Sequence, residues 1–465
     1  MIFVIALSSR KFFTPLLIAA FFVGSIGIGI RGYALKENFL AHNLGNISLI
    51  GTVKSDQSTK GRFLLNTESV NGRSIHLPVR IFPNQKTMVY LDEKVEIKGR
   101  AVASREVRAA ALIFAEEIKT LRNPKPIFQI SERIRSRFRS EASRIGGDAG
   151  ALIPGLVIGD TKNESKTFTD QMRRVGLTHL TAVSGENFAI VASFLAWLLQ
   201  FFIPKLRLRL VITGLVLVLF IFLVRPSPSV IRASVMTAIA LISLGRGITV
   251  NALASLGAAI SLILLIDPFQ AIDPGFALSV GATAGIILLA PNLKLPEPIA
   301  IPIAATLFCT PVIIALSGTL SLISIPANIL VSPLVAPITV IGLVAALIPL
   351  IAHPLLLLIS PLARLLTAVA HFGARVPVLS LPKSFVGAAL VLGVIFLIHW
   401  KKKFAALVFA LSLLSLSLIH GNFPGANWEV VNCDVGQGDG MVLNLGNRSA
   451  IVIDTGPDPV VIDKC

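Results

Sequence analysis

The run GLTHLTAVSGENFAI, residues 176–190, gathers the side chains best suited to chemistry: His179, Ser184, Glu186 and Asn187, with Thr178 and Gly185 among them. Ser184 and His179 have the types of a nucleophile and its base, but no acid partner or oxyanion site accompanies them, so no catalytic residue is assigned. The same run opens an apolar span. An ionisable side chain at mid-bilayer costs about 2.5–3.5 kcal/mol on insertion scales and normally faces a protein interior or a water-filled path. These residues therefore read as path-lining and helix-packing groups beside something polar that passes or binds.

Three further sites break the apolar rule. Arg225 and Arg232 bracket PSPSVI between two spans, where they either snorkel to headgroups or bind an anion. Asp267 and Asp273, in DPFQAIDPG, sit at a span end where proline stops the helix, which suits N-capping aspartates in a turn. Pro326, Asn328, Pro333 and Pro337 interrupt the apolar stretch 322–350, and broken helix at membrane depth is tolerated where it lines a cavity. Cys309, Cys433 and Cys465 lack metal-ligand spacing, so neither a metal site nor a cofactor is expected.

The elements that must position these residues are membrane helices. With 54% hydrophobic and 14% charged residues and a mean hydropathy of +0.79, the chain is too apolar for a soluble globular protein. Its net charge of +17 suits cytoplasmic loops, anionic lipid or a polyanionic cargo. Arg10 and Lys11 precede a first span within 1–31. Residues 45–121 change texture: NISLIGTVKS, GRFLLNTESV, SIHLPVRIF and EKVEIKGRAV alternate and are separated by turn residues, which predicts a small β-barrel of the oligonucleotide/oligosaccharide-binding (OB) kind. Phe63, Phe82 and Tyr90 are its candidates for stacking bases, and the barrel either contacts nucleic acid or is purely structural.

Residues 122–148 form a basic amphipathic helix and linker. Arg133, Arg135, Arg137 and Arg139 face either anionic headgroups or phosphates approaching a pore mouth. From 149 to 420 the chain is polytopic, with candidate spans at 180–203, 210–224, 230–244, 250–266, 276–290, 299–316, 322–350, 355–372, 385–400 and 404–419, so about eleven in all with the first. Lys205, Arg207, Arg209, Arg246, Lys294 and Lys401 to Lys403 fall on the side of Arg10 and Lys11 if each span crosses once. The positive-inside rule puts that side, and the N-terminus, in the cytoplasm and leaves the barrel and the tail outside.

Four ordered blocks, IGDTKNESKTFTDQMRRVGLTHLTAVSGENFAIV, RPSPSVIRASVM, DPFQAIDPGFALSVGATAGI and SIPANILVSPLVAPI, resemble the ComEC family of competence DNA-uptake channels. The resemblance implies a multi-pass cytoplasmic-membrane protein that passes one DNA strand during natural transformation, with an outer-face DNA receptor and a cytoplasmic ATP-driven translocase as partners. No P-loop of the GxxxxGK[ST] type occurs, so the energy for pulling comes from elsewhere. The expected DNA path is Thr178, His179, Ser184, Gly185, Asn187, Arg225, Arg232 and Asn328, with Asp267 and Asp273 as structural motif residues. A hydrated pore for DNA is compatible with more than one copy.

The tail, 427–465, reads as short strands joined by DVGQGDG and GNRS. DVGQGDG followed by IDTGP resembles the opening of the metallo-β-lactamase-like α/β domain of many ComEC proteins, with Asp434 and Asp454 as its structural motif residues. The His-x-His-x-Asp-His ligands expected later do not occur before Cys465, so the tail reads as truncated and non-enzymatic as given. Two other classes stay open: a transporter of a lipid or small anion, and a membrane-tethered metallo-hydrolase or nuclease if the natural chain continues.

Overall fold

The computed structural model describes residues 26, 29, 45–57, 61–84, 87–104, 106, 108–181, 185–247, 251–380, 430–433, 440–446 and 449–453. The strands β1 (Gly45–Val53), β2 (Phe63–Val70), β3 (Arg73–Ser74), β4 (Pro78–Pro83), β5 (Lys94–Ala103) and β6 (Ala111–Arg122) make the first body. β1 pairs antiparallel with β2 and β5, β2 with β4, and β5 with β6, while β4 runs parallel to β6. The circuit β1-β2-β4-β6-β5 closes on itself and fits an OB fold, with the two-residue β3 as a hairpin on β2. Alternation drives it: Leu49, Phe63, Leu65, Val79, Ile81, Val95, Ile97 and Ile113 all point into one core. Closure needs bends, and Gly51 and Gly99 supply them. Both sit at register shifts where a Cβ would collide with the facing carbonyl, of Asn66 and Phe114 respectively.

The second body is helical. Its helices are α1 (Pro126–Ser143), α2 (Gly147–Ile158), α3 (Lys166–Val175), α4 (Thr178–Thr181), α5 (Gly185–Leu199), α6 (Leu206–Val224), α7 (Pro228–Gly245), α8 (Ala252–Ile266), α9 (Pro274–Leu288), α10 (Glu297–Ser317), α11 (Ser324–Leu347) and α12 (Ala352–Gly373). Among the described residues, five stretches are long and apolar enough to cross a membrane: Leu206–Val224, Pro274–Asn292, Glu297–Ser317, Ser324–Leu347 and Pro349–Gly373. Four shorter apolar helices, including the almost wholly buried α2, pack among them. The expected spans at 385–400 and 404–419, and all of 1–31 but Ile26 and Gly29, lie outside the described residues.

Two expectations change here. The stretch 322–350 is not broken: α11 runs unbroken from Ser324 to Leu347 with Pro333 and Pro337 inside it. Neighbouring helices can re-satisfy backbone groups freed by proline in a membrane helix, so proline there does not compel a break. In GLTHLTAVSGEN, α4 ends at Thr181 and α5 begins at Gly185, and residues 182–184 between them lie outside the described residues. The second change concerns α1. Its buried stripe is Ser131, Arg135, Phe138 and Ala142, while Ile130 is 55% exposed, so the helix is a packed strut of the bundle and does not simply float on headgroups.

A small pair, β7 (Thr319–Ser321) with β8 (Val378–Ser380), ties the end of α10 to the chain after α12. In the tail, β9 (Val430–Cys433), β10 (Gly440–Gly446) and β11 (Ser449–Ile453) form an antiparallel sheet in the order β11-β10-β9.

Candidate nucleic-acid path and interface

Helix ends leave carbonyls without intrahelical partners, and α1 answers that need for two neighbours at once. Ser131 donates its hydroxyl proton to the Phe222 carbonyl (2.9 Å). One turn later Arg135 donates to the Leu223 carbonyl of α6 (2.9 Å) and the Ile158 carbonyl of α2 (2.5 Å). Arg135 is 2% exposed, and its guanidinium lies 3.9 Å from Asp160 and 3.8 Å from Asp56. Burial pulls its pKa down, and the charges of Asp160 and Asp56 oppose that pull. Arg139 pairs with the fully buried Asp160 at 2.7 Å. The sequence leaves all four arginines of α1 facing headgroups or phosphates, whereas Arg135 and Arg139 turn inward to Asp160.

Arg225 joins the same cluster. Its guanidinium meets Glu132 at 2.8 Å and Asp56 at 3.3 Å, so a phosphate would have to compete with two carboxylates for it. Its backbone, at φ 73° and ψ 144° just past α6, lies in a region normally left to glycine, and the two ion pairs hold it there.

The barrel docks through this cluster. In OB folds the loops after the first and fourth barrel strands flank the ligand face; here these are the β1–β2 and β5–β6 loops. Asp56 belongs to the first. From the second, Arg108 pairs with Asp273 at 3.1 Å and donates to the Phe269 carbonyl at 3.1 Å. Asp267 and Asp273 are also N-caps, accepting from the Phe269 and Phe276 amides at 3.2 and 3.0 Å. Asp273 therefore both starts α9 and anchors the barrel.

On the barrel wall, Phe82 and Phe114 stack at 5.2 Å across the parallel β4/β6 pair, and the Arg62 guanidinium lies 4.7 Å from the Phe82 ring centre. Phe114 is 41% exposed. Of the stacking candidates read from sequence, Phe63 is wholly buried and belongs to the barrel core, which corrects that reading; Tyr90 is 40% exposed. Phe114 was missed because its partner across β4 is invisible without the strand register.

Inside the bundle, Gly185 opens α5 directly against the Arg232 guanidinium, where a Cβ would come within 2.7 Å. Arg232 is 6% exposed and donates to the Thr283 hydroxyl of α9. Three helices thus meet at one cation, and no carboxylate lies within ion-pair distance of it among the described residues. Asn187, fully buried, donates to the Leu156 carbonyl of α2 at 2.8 Å. Asn328 donates back to the Ser324 carbonyl of its own helix at 2.8 Å, and Ser324 packs against Gly176, the positive-φ cap of α3. Thr178 is half-buried and His179 exposed. Ser184, Asp434 and Asp454 lie outside the described residues. The structure thus joins Gly185 to Arg232 and places Asn187, Asn328 and Arg225 at separate packing contacts.

In the loop before α3, burial, reinforced by Asp160 and Asp148, pushes the Glu164 carboxyl up to about 8. Asp148 lies 3.2 Å from His371. Among the described residues no group of three or more His, Cys, Asp or Glu could hold a metal ion.

The profile of the Competence protein family matches residues 156–404, more than half of the chain. ComE operon protein 3 of Bacillus subtilis (strain 168) is 24% identical over 192 residues, 40% of this chain and 25% of that protein. The match therefore spans a quarter of the relative's length. No solved structure matches significantly. The matched block begins in α2, covers the Gly185–Arg232 contact and the Asp273 anchor, and runs through α12: the chain belongs to the competence protein family.

Proposed function

We propose that this chain is a membrane conduit for single-stranded DNA in natural transformation, and not an enzyme in the part described. The observation that carries it is family membership combined with an OB barrel whose two ligand-flanking loops are anchored on the bundle. A strand stacked on Phe82 and Phe114 would be held by sequence-tolerant contacts that suit a cargo of any sequence. Beyond the barrel, the Arg232 cation, with Thr283 and the start of α5 at Gly185, supplies a polar site in an otherwise apolar body. A conduit needs weak, repeated contacts of this kind and no single tight site.

In this reading about eleven spans cross the cytoplasmic membrane, with the N-terminus inside and the barrel and tail outside, as the basic loops favour. The β9–β11 sheet, whose strands flank the DVGQGDG and IDTGP strings in sequence, is read as the first strands of a metallo-β-lactamase-like domain. An outer receptor delivers the strand and a cytoplasmic ATP-driven translocase pulls it; no cofactor is required of the conduit. The test is disruption of the gene in a transformable host. Transformants should be lost while duplex DNA still binds the cell surface; unchanged transformation overturns the proposal.

A further inference from the structure

Helix α6 is 19 residues long, so its two ends lie about 28 Å apart, close to the thickness of a bilayer's hydrocarbon core. The barrel docks at one end, through Asp56 and Arg225. At the other end the first turn of α6 and the last turn of α7 border a shallow, open groove of about 640 Å³. Three cations, Lys205, Arg207 and Arg246, line it together with Leu206, Leu208 and Leu244. The three leucines are 38, 50 and 55% exposed. Among the described residues, none of the three cations has an ion-pair partner, in contrast to the neutralised cluster at the barrel end. The N-terminus of α6 and the C-terminus of α7 meet at the groove, so their helix dipoles oppose one another and the three side chains carry its positive charge.

The surroundings indicate depth. Trp197, Phe201 and Phe202, at the end of α5 just before this turn, are 55, 65 and 74% exposed, and Trp197 packs edge-on against Phe201 at 5.2 Å. Exposed tryptophan gathers at the headgroup level of a bilayer, and Trp197 is the marker of that level here. A groove at that depth with a cationic rim, unpaired with acid, and an apolar wall is complementary to a molecule that is a phosphodiester at one end and a hydrocarbon at the other.

We propose that this groove is a binding site for an anionic phospholipid. The headgroup phosphodiester sits among Lys205, Arg207 and Arg246, and an acyl chain lies along Leu206, Leu208 and Leu244. Basic pockets between membrane helices on the cytoplasmic side bind anionic headgroups by the same physics. The proposal does not depend on what the conduit carries.

The test uses the full chain in phosphatidylcholine nanodiscs doped with phosphatidylglycerol, with retained lipids counted by native mass spectrometry after release. The wild type should retain phosphatidylglycerol over phosphatidylcholine, and the preference should fall roughly fivefold for each cation replaced in the series to Lys205→Gln/Arg207→Gln/Arg246→Gln. Leu244→Trp fills the apolar wall without changing charge and should also lower retention, which covers the case in which the triple variant fails to fold. Lys98→Gln/Lys119→Gln, exposed on the barrel, removes two charges away from the groove and should leave the preference intact. Equal retention of both lipids by the wild type, or a preference that survives both the triple variant and Leu244→Trp, overturns the proposal. Displacement of phosphatidylglycerol by inorganic phosphate at equal concentration would show a free-anion site, and displacement by an oligothymidylate would show a nucleic-acid site. Either displacement also overturns it.

Discussion

Replacing Arg135 with methionine tests whether α1 is a structural strut or a headgroup float. The substitution keeps a long apolar side chain and removes the guanidinium that caps α2 and α6 through the Ile158 and Leu223 carbonyls. Two buried carbonyls left without a donor cost about 1–3 kcal/mol each. Asp160 keeps Arg139 at 2.7 Å and so is not stranded, which holds the total near the 3–5 kcal/mol typical of breaking a buried pair. For a body of this size that corresponds to roughly 5–10 °C in Tm. The assay is thermal unfolding of the purified full chain followed by circular dichroism. Arg133→Met and Arg137→Met, on the exposed side of the same helix, should stay within about 0.5 kcal/mol of the wild type. If all three variants behaved alike, the arginines would be equivalent, as on a helix lying on headgroups, and the capping argument would be refuted.

Phe82→Ala and Phe114→Ala should each weaken binding of an oligothymidylate to the full chain by about 1–3 kcal/mol per base unstacked, measured by fluorescence anisotropy; no change would remove the barrel wall as a nucleic-acid platform. Arg108→Ala breaks a partly exposed pair with Asp273 and should cost about 1 kcal/mol or less in global stability. It should nevertheless raise hydrogen exchange at 267–276 and in the β5–β6 loop. Because the folded Glu164 carboxyl holds its proton up to about pH 8, above its ordinary 4.5, the folded state binds more protons than the unfolded one between these values. Stability should therefore fall as pH rises from about 4.5 to 8. Glu164→Gln should flatten that slope in thermal midpoints taken across the window, and an unaltered slope would count against it.

The barrel was legible because a two-residue alternation with turn residues between runs has few other solutions, and its core side chains are those of the alternating positions. The long apolar helices were legible for the corresponding reason, since 20 or so apolar residues have nowhere else to go. What misled was proline. Pro333 and Pro337 read as breaks, yet both lie within a continuous α11, because in lipid the cost of a lost hydrogen bond is shared with neighbouring helices. Arg135 could not be told from Arg133 or Arg137 by spacing, because in a membrane body the apolar side of a helix can face outward while the polar side seeks helix ends. Phe114 and the partners of Arg225 depend on register and tertiary contacts that no local pattern encodes. The Gly185–Arg232 contact joins two motifs singled out separately, and only the fold shows them to be one site.

The central claim is that a DNA strand passes the Arg232 site inside the bundle. A photoreactive amino acid placed at Thr283, the hydroxyl that receives the Arg232 hydrogen bond, reports on it directly in transforming cells given labelled DNA. The control position is Leu215, 62% exposed on α6. The account predicts labelled single strand crosslinked at 283 and not at 215, with the 283 signal abolished by Arg232→Gln at normal expression. Equal labelling at both positions, or none at 283 while transformation continues, would contradict it.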